Sequence, residues 1–243
     1  MEAEARSAKL SPVLFDDFAE TYEEACQQGL ALAGESRDYF AAQRIAYTAR
    51  WLEAVGVGSL QRVADFGCGL GHSTPHVQQR FPSARLLGLD ISSASIDCAG
   101  QLYGGEKTTF ALLVDYHPRQ DQDLVYCNGV FHHIAPTERL FWGKKIFDLL
   151  VPGGYFALWE NNPWNPGTRM VMHRIPFDRD AVPLGPPEAR RLLVQAGFAI
   201  LGTRFCFFFP RIFSWLRGLE RFAVRVPLGA QYCVLAHKPF LTR

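Results

Sequence analysis

From about residue 59 onward, short apolar runs alternate with stretches of helical period. The runs Arg62–Phe66, Arg85–Leu89, Thr109–Val114, Leu124–Asn128 and Tyr155–Glu160 predict strands. Between them the pattern predicts helices over 72–80, 93–102 and 136–150, with a shorter connection around 116–122. Strand, helix and strand repeated in this order imply a parallel sheet with right-handed crossovers. Upstream, 11–56 reads as helical with a break near 29–36. In Tyr39–Val55, Phe40, Arg44, Tyr47 and Trp51 recur at one helical face, which sets Arg44 among aromatics. Downstream, Asn161–Leu184 is rich in turn residues and predicts a long loop. A helix over Glu188–Ala196 should stop at Gly197, placed as a C′ glycine would be. Strands over Ala199–Phe208 and Gln231–His237 flank a helical stretch, Arg211–Val224.

The chain of 243 residues accommodates a single domain with a substantial core. Lysine plus arginine (25) balances aspartate plus glutamate (24), so no overall field favours nucleic acid, and a small-molecule partner is expected. The six cysteines, 26, 68, 98, 127, 206 and 233, show no CxxC or zinc-ligand spacing, which predicts reduced thiols, no metal and a cytoplasmic setting. The N-terminal MEAEARSAKL has no apolar core of a signal peptide, and no run approaches the ~18 apolar residues of a membrane span.

The stretch Val63–Thr74, VADFGCGLGHST, puts Gly67, Gly69 and Gly71 between the first strand and a helix, where backbone can approach a ligand closely. A dinucleotide fingerprint requires a third glycine at position 72, which is His72. Asp65 stands just before the first glycine and would repel a phosphate while attracting a cation or hydrogen-bond donors. Asp90 ends the second strand, about 20 residues further on, where a carboxylate suits ribose hydroxyls. Asp115 is placed at the end of the third. Three acidic strand ends suit a cationic nucleoside without phosphates.

VADFGCGLG, LLGLDIS, LLVDYHP, DLVYCNGVFHHI and LLVPGGYFALWEN, in this order over about 62–161, resemble the motifs of class I S-adenosylmethionine-dependent methyltransferases. FDDFAETYEEA and SRDYFAAQRIAY are similar, less specifically, to the helical cap of small-molecule members. The resemblance implies an α/β, Rossmann-like, doubly wound sheet of seven strands, mostly parallel with an antiparallel last strand, plus an N-terminal helical cap. It divides the domain into a cap (1–58), a cofactor-binding half (59–161) and an acceptor-side half (162–243). It implies that S-adenosylmethionine is bound and S-adenosylhomocysteine released. Asp65, Gly67, Cys68, Gly69 and Gly71 would face the methionine part, Asp90 and Ile91 the ribose, and Asp115 with Tyr116 the adenine. Asn128 and Gly129 would border the methionine part, and Arg44 or Tyr22 would meet its carboxylate. An internal ion pair is the other reading of Arg44.

Methyl transfer needs a base only when the acceptor must lose a proton first. His132 and His133, after the fourth strand, are the candidate bases, since imidazole titrates near ~6.5; packing around the cofactor is their other reading. Tyr39, Asn161, Arg169 and Arg174, with His133, are the acceptor-contact candidates, the arginines for an anionic group. Phe205–Phe209 reads as core packing, or as a wall for an apolar or lipid-linked acceptor or a dimer surface. Asn161-Asn-Pro-Trp164 follows the fifth strand rather than the fourth, which argues against an amino-methylating nucleic-acid enzyme. The expected function is O- or N-methylation, rather than C-methylation, of a sugar, metabolite or natural-product intermediate by a monomer or homodimer. A cofactor-binding protein without turnover is the alternative, and a nicotinamide oxidoreductase is disfavoured by His72.

Overall fold

The computed structural model describes residues 34–175 and 181–240. Tyr22 and the helical reading of 11–28 lie outside the described residues. Helix α1 (Arg37–Ala54) starts at Ser36, whose hydroxyl accepts the Tyr39 amide at 3.0 Å. It is followed by β1 (Arg62–Phe66), α2 (Thr74–Arg80), β2 (Arg85–Asp90), α3 (Ser93–Tyr103), β3 (Thr108–Leu112) and β4 (Gln122–Asn128). A 3₁₀ turn (Phe131–His133) leads to α4 (Arg139–Leu149), β5 (Leu150–Asn161), α5 (Pro166–Arg174), α6 (Pro186–Gln195) and β6 (Ala199–Cys206). A 3₁₀ segment (Arg211–Leu219), α7 (Glu220–Ala223) and β7 (Gln231–His237) complete the chain.

The seven strands form one sheet in the order β3-β2-β1-β4-β5-β7-β6, and β7 alone runs antiparallel to its neighbours. Strand residues alternate between two cores, as the pleat requires. Ala64, Phe66, Val125, Cys127, Phe156 and Leu158 pack with α4 and α6. Val63, Leu124, Tyr126, Ala157 and Trp159 pack with α1 and α2 on the other face. The strand order reverses between β1 and β4, so a crevice opens at their carboxyl ends, where ligands of such sheets bind.

Three expectations change. The stretch after β5 is not a long loop: Asn165 caps α5 by accepting the Thr168 amide at 2.9 Å, and Pro166 fits the first turn. The stretch over 211–224 is 3₁₀ with only a short α-helical end, broken by non-helical backbone at Phe213. β3 ends at Leu112 rather than Val114, so Asp115 lies beyond the strand end. Gly197, at φ +106°, closes α6 as expected.

Candidate active site

The glycine turn begins with Gly67 and Cys68, whose amides both donate to the Leu89 carbonyl, at 2.7 and 3.0 Å. This draws the turn against the end of β2. Gly67, Gly69 and Gly71 all have positive φ, and a Cβ on Gly67 would lie 2.2 Å from Val130 Cγ2. The Gly69 amide donates to Asp90 Oδ2 at 2.7 Å, and the Ser92 amide to Oδ1 at 3.0 Å. Asp90 therefore fixes the turn while keeping acceptor capacity, because a carboxylate has about four lone-pair sites.

A cavity of about 150 Å³ lies over this turn, and its walls include Asp65, Gly67, Cys68, Gly69, Asp90 and Ile91. Asp65 is buried and its Oδ2 has no hydrogen-bond partner among the described residues. Burial, reinforced by the Asp90 carboxylate and opposed by Arg44, pushes its pKa up to about 7. Asn128 Oδ1, on the same cavity wall, is also buried and has no hydrogen-bond partner among the described residues. Two orphaned acceptors call for a cationic, hydrogen-bond-donating ligand. A sulfonium nucleoside bearing an ammonium group meets that demand, and a diphosphate does not.

A second cavity of about 370 Å³ adjoins the first, and Arg37, Arg44, Asn128, Gly129 and His133 line both. Arg44 is buried, its Nε donating to the Tyr126 hydroxyl at 3.1 Å and Nη1 to Gln231 Oε1 at 3.2 Å. Gln231 Nε2 in turn donates to Asn161 Oδ1 at 3.0 Å, so a polar chain crosses the second cavity from α1 to β5. Tyr39 and Asn161 line this cavity, along with Met172, Ile175 and Phe207–Phe209. Phe207 holds φ +64°, an uncommon conformation for an aromatic residue, with its ring 5.0 Å from that of Phe40.

His132 lines the second cavity and is almost fully buried. Its Nδ1 sits 2.6 Å from Glu160 Oε2, while Glu160 Oε1 accepts the Phe131 amide at 2.8 Å. Glu160 is fully buried and absent from the sequence-based candidates. The rings of His132 and His133 lie 4.1 Å apart. Arg139, also buried, donates through Nε to the Phe131 and Ile134 carbonyls, each at 3.1 Å, and so braces the histidine turn.

Not all candidates are brought together. Asp115 is exposed, and neither it nor Tyr116 borders the cofactor cavity; Leu113 does. Gly71 is buried beside Thr74, Ala99 and Tyr103, where it shapes the turn without lining the cavity. Arg169 and Arg174 are exposed and do not line the second cavity, because the period of α5 turns Thr168, Val171, Met172 and Ile175 toward it instead. Phe207–Phe209 wall the cavity, while Phe205 and Cys206 enter the core.

A methyltransferase-domain family model matches residues 64–156, the span that carries the turn, Asp90 and the histidines. A methyltransferase domain thus occupies the middle of the chain, on the fold of S-adenosylmethionine-dependent methyltransferases. Trans-aconitate 2-methyltransferase of Escherichia coli K12 is 30% identical over 170 residues, 69% of this chain and 65% of the relative. The chain thus spans slightly less than two thirds of that methyltransferase's length. An S-adenosylmethionine-dependent methyltransferase from Mesorhizobium loti shares the fold at TM-score 0.55 and 21% identity, covering 78% of this chain and 98% of its own. Human N-acetylserotonin methyltransferase in complex with S-adenosylmethionine does so at TM-score 0.63 and 18% identity, covering 93% of this chain and 59% of its own. The family's cofactor, S-adenosylmethionine, fits the donor-seeking cavity formed by Asp65, Asn128 and the glycine turn.

Proposed function

We infer that the protein transfers a methyl group from S-adenosylmethionine to a small-molecule acceptor, at oxygen or nitrogen. The observation that carries this reading is the pair of adjoining cavities with a shared wall of Arg44, Asn128, Gly129 and His133. When bound, the cofactor supplies a methyl group activated by a positively charged sulfur. Asp65 and Asn128 receive its cationic and hydrogen-bond-donating groups, and Asp90 has acceptor capacity for the ribose. The glycine turn lets backbone lie flat against the ligand. Holding the two reactants across the shared wall gives the orientation that can be worth up to ~7–11 kcal/mol in such reactions.

His132 is the proton acceptor on this reading. With a proton on Nδ1, donated to Glu160, Nε2 is the basic nitrogen, and the carboxylate steadies the imidazolium once the acceptor proton has moved. His133 lies on the shared wall and positions the acceptor. The apolar side chains of Met172, Ile175 and Phe207–Phe209 suit an acceptor with an apolar body, and the Arg44–Gln231–Asn161 chain offers it polar contacts.

The deciding experiment incubates the protein with methyl-labelled S-adenosylmethionine and a metabolite extract. The expected result is S-adenosylhomocysteine together with a product heavier by one methyl group, both lost in Asp65→Ala. Cofactor binding without either product, across hydroxyl and amine acceptors, would sink the enzymatic reading in favour of a binding protein.

A further inference from the structure

The segment over 211–228 is built with its polarity reversed. Its inward charges are Glu220, which is 5% exposed and accepts the Phe208 and Phe209 amides at 3.1 and 3.2 Å, and Arg217, paired with Glu35 at 2.8 Å. Its apolar residues face outward: Ile212 is 79% exposed, Trp215 77% and Phe222 73%, joined by Phe213, Leu219, Val226 and Leu228. Residues 212, 215, 219, 222 and 226 recur every three or four positions, and the successive turns of this segment leave all five exposed. None of the residues in the 3₁₀ part is buried. Such a concentration of exposed aromatic and aliphatic side chains marks a contact surface.

The exposed charges of this segment are Arg211, Arg221 and Arg225, all of one sign. The chain's net charge of +1 conceals this local excess. The Arg221 guanidinium lies over the Phe222 ring at 4.7 Å, so cation and aromatic are presented side by side. Apolar side chains flanked by arginines match an interface of anionic headgroups over acyl chains, where rings insert and guanidinium groups remain at headgroup level. Among the exposed charges of this face, a second copy would offer the arginines no group of opposite sign.

We propose that residues 211–228 form a docking surface for an anionic lipid bilayer. Phe209, Pro210, Arg217 and Glu220 line the second cavity, so the docked segment forms part of its wall. On the methyl-transfer reading, and resting on it, an acceptor with an apolar body then enters from the bilayer rather than from water.

The test is co-sedimentation of the full chain with phosphatidylcholine vesicles, alone or mixed with phosphatidylglycerol, at low and raised salt. Two double variants, Trp215→Ser with Phe222→Ser and Arg221→Glu with Arg225→Glu, are compared, each checked by thermal melting. The expected result is association with the mixed vesicles only, weakened by salt, and weakened roughly tenfold or more in each variant with the melting temperature unchanged. Absence of association with mixed vesicles, or equal association by the variants, would overturn the proposal. A fall in melting temperature of the Trp215/Phe222 variant, without vesicle binding by the parent, would assign the face to another part of this chain. Loss of a parental dimer in the same variant would assign it to a second copy. Vesicle binding requires no turnover, so its failure is separable from failure of the methyl-transfer reading.

Discussion

At the scale of single residues, the histidine turn depends on one carboxylate that sequence reading did not select. Glu160 is 28 positions from His132, and only the parallel register of β4 against β5, which pairs Asn128 with Trp159, brings the two together. The available signal was an acid at the end of an otherwise apolar strand, YFALWEN, and it names no partner. Glu160→Gln tests the role assigned to it. The amide oxygen retains an acceptor for the Phe131 amide, while an amide N–H turned toward Nδ1 would favour the tautomer with the proton on Nε2. His132 then loses its basic nitrogen toward the acceptor. The expected outcome is a fall in kcat of about 10²-fold or more, in the range of general-base contributions, with cofactor affinity and melting temperature little changed. A purely structural Glu160 would instead lower stability and leave the pH profile of kcat intact.

At the scale of elements, the sheet was legible because each strand is a short apolar run closed by a turn signal, and Gln231–His237 matches its expected bounds. The errors arise where helical period and turn residues compete. Asn165-Pro-Gly reads as a turn, yet the asparagine side chain and the proline start α5, and its inward row then excludes Arg169 and Arg174 from the cavity. Asp115 does not end β3 as expected: the strand stops at Leu112 and the acid follows three residues later. Two substitutions test how the elements hold the site. In Gly67→Ala the new methyl meets Val130 in a backbone of φ +76°, so cofactor affinity should fall at least tenfold by calorimetry while the fold persists. In Arg139→Lys the Nε–H shared by the Phe131 and Ile134 carbonyls is lost although the charge is kept. Stability should drop by about 1–3 kcal/mol in denaturant titration, and kcat should fall because the turn carrying His132 and His133 loosens. An Arg139→Lys protein with unaltered kcat would show that the brace is structural only.

At the scale of the whole molecule, α1 ties the two halves together over the site. Asp38 meets His76 of α2 at 2.8 Å, Thr48 accepts the Trp159 indole N–H at 2.9 Å, and Arg44 reaches β4 and β7. The cofactor cavity is therefore formed by the folded protein as a unit, and the proton on Asp65 becomes a property of global stability. Free aspartate titrates near ~3.9. Within the folded chain, burial first and Asp90 second raise Asp65 to about 7. A raised folded pKa means that the native state holds a proton that the unfolded chain has released. The resulting stabilisation is fully present below about pH 4 and is lost as pH rises through about 7. A cation bound beside Asp65 reverses this preference, because it favours the carboxylate and releases the proton. Cofactor affinity should accordingly rise about tenfold between roughly pH 6 and pH 8, with proton release on binding in the lower part of that range. Calorimetry in buffers of different ionisation enthalpy measures both. The melting-temperature increase on adding cofactor should grow with pH over the same interval, and Asp65→Asn should bind more weakly with a flat profile. Equal pH dependence in the parent and in Asp65→Asn would show that another group carries the proton, and would remove Asp65 from the cation-binding role.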